Sequence, residues 1–193
     1  MFKKQNGFTL IELMVALTVM GVAIAIGIPS FNKQIMNNQS VALGEDFVSA
    51  LNLARVTAVT GRKGATQTLQ PRASICASVD GATCSGAAGG WSQGFIAFVD
   101  MATSDSAAAP IVGTVLQVWP RRGNRADITV RLNGSDISFV RFTSVGTLAR
   151  INNVNFPVIV NAEMRKCSGN AGRTITVGLS GLLSVVRKVC VVY

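Results

Sequence analysis

The pattern of apolar and polar positions divides the chain into three stretches. From Phe8 to Ile28 apolar residues follow one another almost without a break, FTLIELMVALTVMGVAIAIGI, with Glu12 the one charge among them. These 21 residues form a helix of about 32 Å at 1.5 Å per residue, enough to cross a bilayer core of roughly 30 Å. Beyond Ser30 the pattern becomes amphipathic. Leu43, Phe47, Leu51, Ala54 and Ala58 recur every three or four positions, which predicts helix to about Thr60, one apolar stripe for packing on a sheet, and a stop at Gly61. Pro29 removes a helical hydrogen bond and is expected to kink or loosen the helix between its halves. From Ala65 the signal changes to that of short strands. Segments rich in β-branched residues predict strands near 65–70, 73–79, 94–99, 113–119, 127–132, 137–142, 156–162, 173–179 and 183–192, separated by Gly, Asn and Ser turns. The stretches 80–92 and 101–109 read as loops. The expected fold class is α+β, a long N-terminal helix packed on antiparallel β-sheets.

The apolar run needs an orientation and an explanation for its acid. Lys3 and Lys4 precede it and favour a cytoplasmic amino end, which places the bulk of the chain outside the cytoplasm. An ordinary secretory signal peptide has the same outline, and Ala23 and Ala25 offer a weak cleavage match. The run is long for such a peptide, however, and a carboxylate in a membrane segment costs about 2.5–3.5 kcal/mol at the centre and less near the end. Glu12 would serve no purpose in a segment destined for removal.

Gly7-Phe8-Thr9-Leu10-Ile11-Glu12 resembles the type III signal of type IV pilins and of the pseudopilins of type II secretion. That resemblance implies cleavage between Gly7 and Phe8 by a prepilin peptidase, N-methylation of Phe8, and retention of the helix as membrane anchor and filament core. It also implies a register role for Glu12, paired with the α-amino group of a neighbouring subunit, which lowers the cost of both charges in a dry bundle. Internal segments resemble the GspH/FimT family of minor pilins. They are Leu53-Ala54-Arg55-Val56-Thr57-Ala58, the strand Trp91-Ser92-Gln93-Gly94-Phe95-Ile96-Ala97-Phe98-Val99-Asp100, and Phe142-Thr143-Ser144-Val145-Gly146. Trp91, Phe95 and Phe98 read as core. The implied organisation is a leader over 1–7, a transmembrane helix over 8–28, the second half of the helix over 29–61 and a β-rich periplasmic domain over 62–193. The implied partners are other pilins, the prepilin peptidase and the bacterial inner membrane. The implied function is that of a structural subunit which enters or primes a type IV pilus or a type II secretion pseudopilus.

Composition adds constraints. The chain has 193 residues, sized for one domain and an anchor. Net charge is +9, or +7 on side chains once Lys3 and Lys4 leave with the leader. Four cysteines in an extracytoplasmic domain permit disulfides. They allow three connectivities; Cys76–Cys84 and Cys167–Cys190 are favoured because each pair brackets a turn between strands. There is no His, no C-x-x-C and no phosphate-loop motif, and the carboxylates are scattered singly. No metal, cofactor or catalytic constellation is therefore expected, and the chain is not read as an enzyme.

The basic residues fall into three groups: Arg121, Arg122, Arg125 and Arg131; Arg141 and Arg150; and Arg165, Lys166, Arg173, Arg187 and Lys188. They read first as a solvated basic face. The sharper alternative is nucleic-acid binding, since DNA-uptake pilins of this family resemble one another by a G-R-x-R pattern in the last hairpin. The corresponding stretch here, Leu179 to Ser184, keeps Gly181 but has Leu182 and Ser184 where the arginines belong. Arg173, Arg187 and Lys188 remain weak candidates for DNA contact, which is not the favoured function.

Overall fold

The computed structural model describes residues 9–61, 71–150 and 156–191, with the side chains of Gly27 and Pro29 excepted. The strand expected near 65–70 and the cleavage site at Gly7 and Phe8 lie outside these residues. The helix α1 runs from Leu10 to Thr60, and the backbone of Pro29 belongs to it. It divides between two compact units: its residues up to Ile35 belong to the first, and those from Met36 onward belong with the sheets to the second.

Among the described residues nine strands follow: β1 (Ala73–Ala77), β2 (Gly94–Asp100), β3 (Val112–Pro120), β4 (Ala126–Leu132), β5 (Ser135–Asp136), β6 (Phe139–Phe142), β7 (Val158–Met164), β8 (Gly172–Val177) and β9 (Leu183–Lys188). They form a four-stranded sheet in the order β3-β2-β1-β6 and a five-stranded sheet in the order β5-β4-β7-β8-β9. All strand pairs are antiparallel. Several ends differ from the sequence reading. The first described strand stops at Ala77 and the last at Lys188, while residues 90–93 form a short 3-10 turn inside the expected loop. The segment expected as one strand over 137–142 begins properly only at Phe139, after the tight Asn133-Gly134 turn has placed β5 beside β4.

The stripe predicted on α1 is buried in full: Leu43, Phe47, Leu51, Ala54 and Ala58 join a single core with both sheets. Phe47 meets Trp91 edge-on at 5.5 Å between ring centroids and lies 5.0 Å from Phe95, which stacks on Trp119. The Trp91 indole N–H donates to the Ile137 carbonyl at 2.7 Å, so burial of the ring leaves no polar atom unmatched. Trp91, Phe95 and Phe98 are thus core residues.

All five residues of β1 are buried, because both of its faces are covered. The outer cover is the 101–111 loop, held by a charged network. Asp100 and Arg141 are both fully buried and meet at 2.7 Å. Asp100 also accepts hydrogen bonds from Ser74 Oγ and from the Ala102 and Ile111 amides. The Arg141 guanidinium donates to the carbonyls of Asp105, Ala107 and Ala109. Arg72, buried beside them, pairs with Asp105 and donates to the Ala102 carbonyl. This corrects the sequence reading at one point: Arg141 is not on a solvated basic face. Among the described residues, six carboxylates form ion pairs with basic residues.

The disulfides join Cys76 to Cys84 and Cys167 to Cys190, with Cα separations of 5.6 and 5.7 Å. Within the small loop, Asp80 accepts hydrogen bonds from the Thr83 hydroxyl, the Thr83 and Ala82 amides and the Ser78 hydroxyl. Those donors, Thr83 foremost, hold its carboxyl well below the ordinary carboxylate range. The second bridge fastens the segment after β9 to the β7–β8 turn. It closes a span of 23 residues against 8 for the first. Loop-closure entropy then favours it by about 1 kcal/mol. Cys190→Ser is therefore expected to lower the unfolding temperature more than Cys84→Ser, each measured by circular dichroism on the oxidised full chain in detergent.

Candidate functional site

Two regions carry functional signals. The first is the amino-terminal part of α1. From Leu10 to Ile28 its described apolar side chains are exposed, including Leu10, Ile11, Leu13, Met14, Val15, Leu17 and Val19. The helix holds a window long and apolar enough to cross a membrane, with none of it buried inside the protein. An apolar surface of this extent requires a lipid or protein environment. Its amino end is organised by Thr9, whose hydroxyl accepts a hydrogen bond from the Glu12 amide at 3.3 Å. Thr9 thus stands at the N-cap and Glu12 at N3, where a carboxylate is also favoured by the helix dipole. Sequence reading assigned Glu12 a register role and missed this local one, although the Thr9–Glu12 spacing carries the signal.

The second region is where the end of α1 meets the last hairpin. Arg55 Nε donates to the Gly146 carbonyl at 3.0 Å. Gly146 has φ near 78° and closes the turn after β6. Gly181, φ near 76°, sits in the β8–β9 turn so close to it that a Cβ there would stand 2.0 Å from the Gly146 oxygen. The Leu148 amide donates to the Leu179 carbonyl and joins the two turns. Three separate sequence signals, Arg55, the F-x-x-x-G turn and Gly181, therefore meet at one point as a structural clasp.

The weak DNA candidates do not lie at that turn. Arg173 is directly opposite Arg187, and Lys188 opposite Gly172, at the other end of the β8–β9 hairpin. The Arg173 stem packs over Gly44 of α1, where a Cβ would come within 2.5 Å of its Cγ, and its guanidinium donates to the Gly172 carbonyl. Lys188 pairs with the buried Glu163 at 3.2 Å. Arg187 alone of the three is exposed. The turn itself presents Leu179 and Leu182, both exposed and apolar.

Ligand atoms of Glu163, Cys167 and Cys190 lie within 4.8 Å of one another. Both sulfurs are consumed by the Cys167–Cys190 bridge, and Glu163 is committed to Lys188 and the Val191 amide. The donor set does not suit a metal ion, because a disulfide offers no thiolate.

Residues 2–28 match the prokaryotic N-terminal methylation motif, and residues 43–181 match the family described as type II transport protein GspH. No curated protein matches the chain at a significant level. Among solved structures, the chain is similar to the type IV minor pilin FimU of Pseudomonas aeruginosa. The match has 19% identity and a TM-score of 0.48, over 77% of this chain and 91% of that one.

Proposed function

The chain belongs to the type II transport protein GspH family, and from that premise we propose that it is a minor subunit of a filament of the type IV pilus or type II secretion pseudopilus class, anchored in the inner membrane before assembly. The observation that carries this reading is the exposed apolar half of α1, attached to a domain whose core uses none of it. A helix of that kind serves two environments in turn. In the bilayer its surface is covered by acyl chains, and in a filament by the same surface of neighbouring subunits.

The steps follow from the amino end. Lys3 and Lys4 hold the leader in the cytoplasm. A prepilin peptidase cuts between Gly7 and Phe8, and the new amino group on Phe8 is methylated and keeps its positive charge. The helix from Phe8 then packs among its neighbours, where van der Waals contact drives association of apolar helices. Glu12 faces an amino group of an adjacent subunit and sets the axial register, because any other register leaves a carboxylate and an ammonium unpaired in an apolar bundle. The sheet domain remains on the periplasmic side, where its two disulfides form. Ile28-Pro29-Ser30-Phe31 and Asn37-Asn38 resemble pilus members and favour the pilus over the secretion machine.

The test is fractionation together with phenotype. Filaments sheared from cells carrying an epitope-tagged chain are expected to contain it, and deletion of its gene is expected to reduce surface piliation. Normal piliation with loss of protein secretion would instead assign it to the pseudopilus. Absence from filaments, with both processes intact, would contradict the proposal.

A further inference from the structure

The charge on this domain is not evenly distributed. Asp46, Asp100, Asp105, Asp127, Asp136 and Glu163 are each ion-paired within the chain, and Asp80 is held in its own turn. Among the described residues from Met36 onward, Glu45 is the remaining carboxylate. Basic residues gather on two turns, and two of them, Arg122 and Arg165, are partners in those pairs. Arg121, Arg122 and Arg125 lie between β3 and β4, and Arg165 and Lys166 between β7 and β8; all five are exposed. The Arg165 amide donates to the Arg125 carbonyl at 2.7 Å and fixes the turns side by side.

Both turns rest on the first residues that α1 gives to the domain. Arg125 Nη1 lies 3.6 Å from Met36 Sδ, the Ser168 amide donates to Asn37 Oδ1 at 2.8 Å, and the Met164 amide donates to Ser40 Oγ at 3.2 Å. Between them is a cavity of about 360 Å³ lined by Gln39, Arg122, Gly123, Asn124, Arg125 and Met164. Arg122 is paired with Asp46, whereas the acceptor facing Arg125 is a thioether, a weak one. The geometry is that of an anion seat with more donors than its own chain satisfies.

We propose that this cavity and the two basic turns bind the phosphate of an anionic phospholipid at the membrane surface. The proposal rests on residues 8–28 being a retained membrane anchor. Met36 is eight residues beyond Ile28, where the apolar run ends. Even fully extended, that tether reaches about 29 Å, so Met36 cannot stand farther than that from the end of the apolar run. Clustered Lys and Arg beside a membrane segment are attracted to anionic headgroups. A second copy of this chain is a poor alternative partner, since it has Glu45 and little else in its domain to offer the patch.

The experiment uses the full chain in nanodiscs of phosphatidylcholine alone or mixed with phosphatidylglycerol, with hydrogen exchange read at residues 121–125 and 165–168. Exchange there is expected to slow several-fold in the mixed nanodisc and to return to the neutral-lipid rate in the triple variant Arg121→Gln, Arg125→Gln, Lys166→Asn. Arg187→Gln, outside the patch, is expected to retain the protection. Equal exchange in both lipids, or protection that survives the triple variant, overturns the proposal while leaving the anchor reading intact. A chain that enters neither nanodisc overturns both. Protection by duplex DNA in the neutral nanodisc, matching that by phosphatidylglycerol, would reassign the patch to nucleic acid.

Discussion

Arg141→Ala is expected to lower stability by about 3–5 kcal/mol, the usual cost of leaving one member of a buried ion pair without its partner. Asp100 would remain fully buried, with the Ser74 hydroxyl and two amides among the described residues still donating to it. The carbonyls of Asp105, Ala107 and Ala109 would lose their common donor at the same time. The damage therefore has a place as well as a size. The 101–111 loop should become the first site of proteolytic cutting, and the unfolding midpoint of the detergent-solubilised chain should fall by about 6–20 °C. Arg141→Lys keeps the charge but not the planar fork that reaches three carbonyls, so it should fall between the wild type and the alanine variant. An unchanged midpoint and an uncut loop in Arg141→Ala would mean that the network is not what holds β1 covered.

Glu12→Leu is expected to separate two properties that usually fail together. Removing a carboxylate from the anchor should leave membrane insertion equal or improved, by up to about 2 kcal/mol on insertion scales. Filament incorporation should nonetheless fall at least tenfold, because in the proposed pairing the amino group of the neighbouring subunit loses its counter-charge and the register loses its marker. Comparing membrane and sheared-filament fractions measures both. Glu12→Leu also removes the N3 carboxylate of the helix that Thr9 caps, so Thr9→Val is the necessary companion: it weakens the cap by about 1 kcal/mol while keeping the charge. Loss of assembly in Glu12→Leu but not in Thr9→Val assigns the effect to the register. Equal loss in both assigns it to the helix end.

The sequence was informative wherever a pattern had one physical solution. The run Phe8–Ile28, with Glu12 its one charge, predicts a long apolar helix, and the stripe Leu43-Phe47-Leu51-Ala54-Ala58 admits one buried face. Strand positions came from β-branched segments between Gly, Asn and Ser turns, but some strand ends did not, because features such as the 3-10 turn over 90–93, which buries Trp91, depend on tertiary packing. The Asp100–Arg141 pair was illegible for a different reason. Forty-one positions separate the two residues, and nothing local distinguishes an arginine that ends up in the interior from one in water. The clasp of Arg55, Gly146 and Gly181 was visible only as three unconnected signals. The basic groups were legible as charge, but the gathering of Arg121, Arg122, Arg125, Arg165 and Lys166 beside Met36–Ser40 follows from which turns the fold places together.

The account depends on the apolar helix being kept after the leader is removed, and the amino terminus of the membrane-resident protein tests that most directly. Intact mass and amino-terminal sequencing of the chain extracted from cells should find Phe8 first, carrying one methyl group, with residues 1–7 gone. A mature protein beginning at residue 27 or later would contradict the account, since it would reveal an ordinary secretory signal and a soluble domain with no filament core.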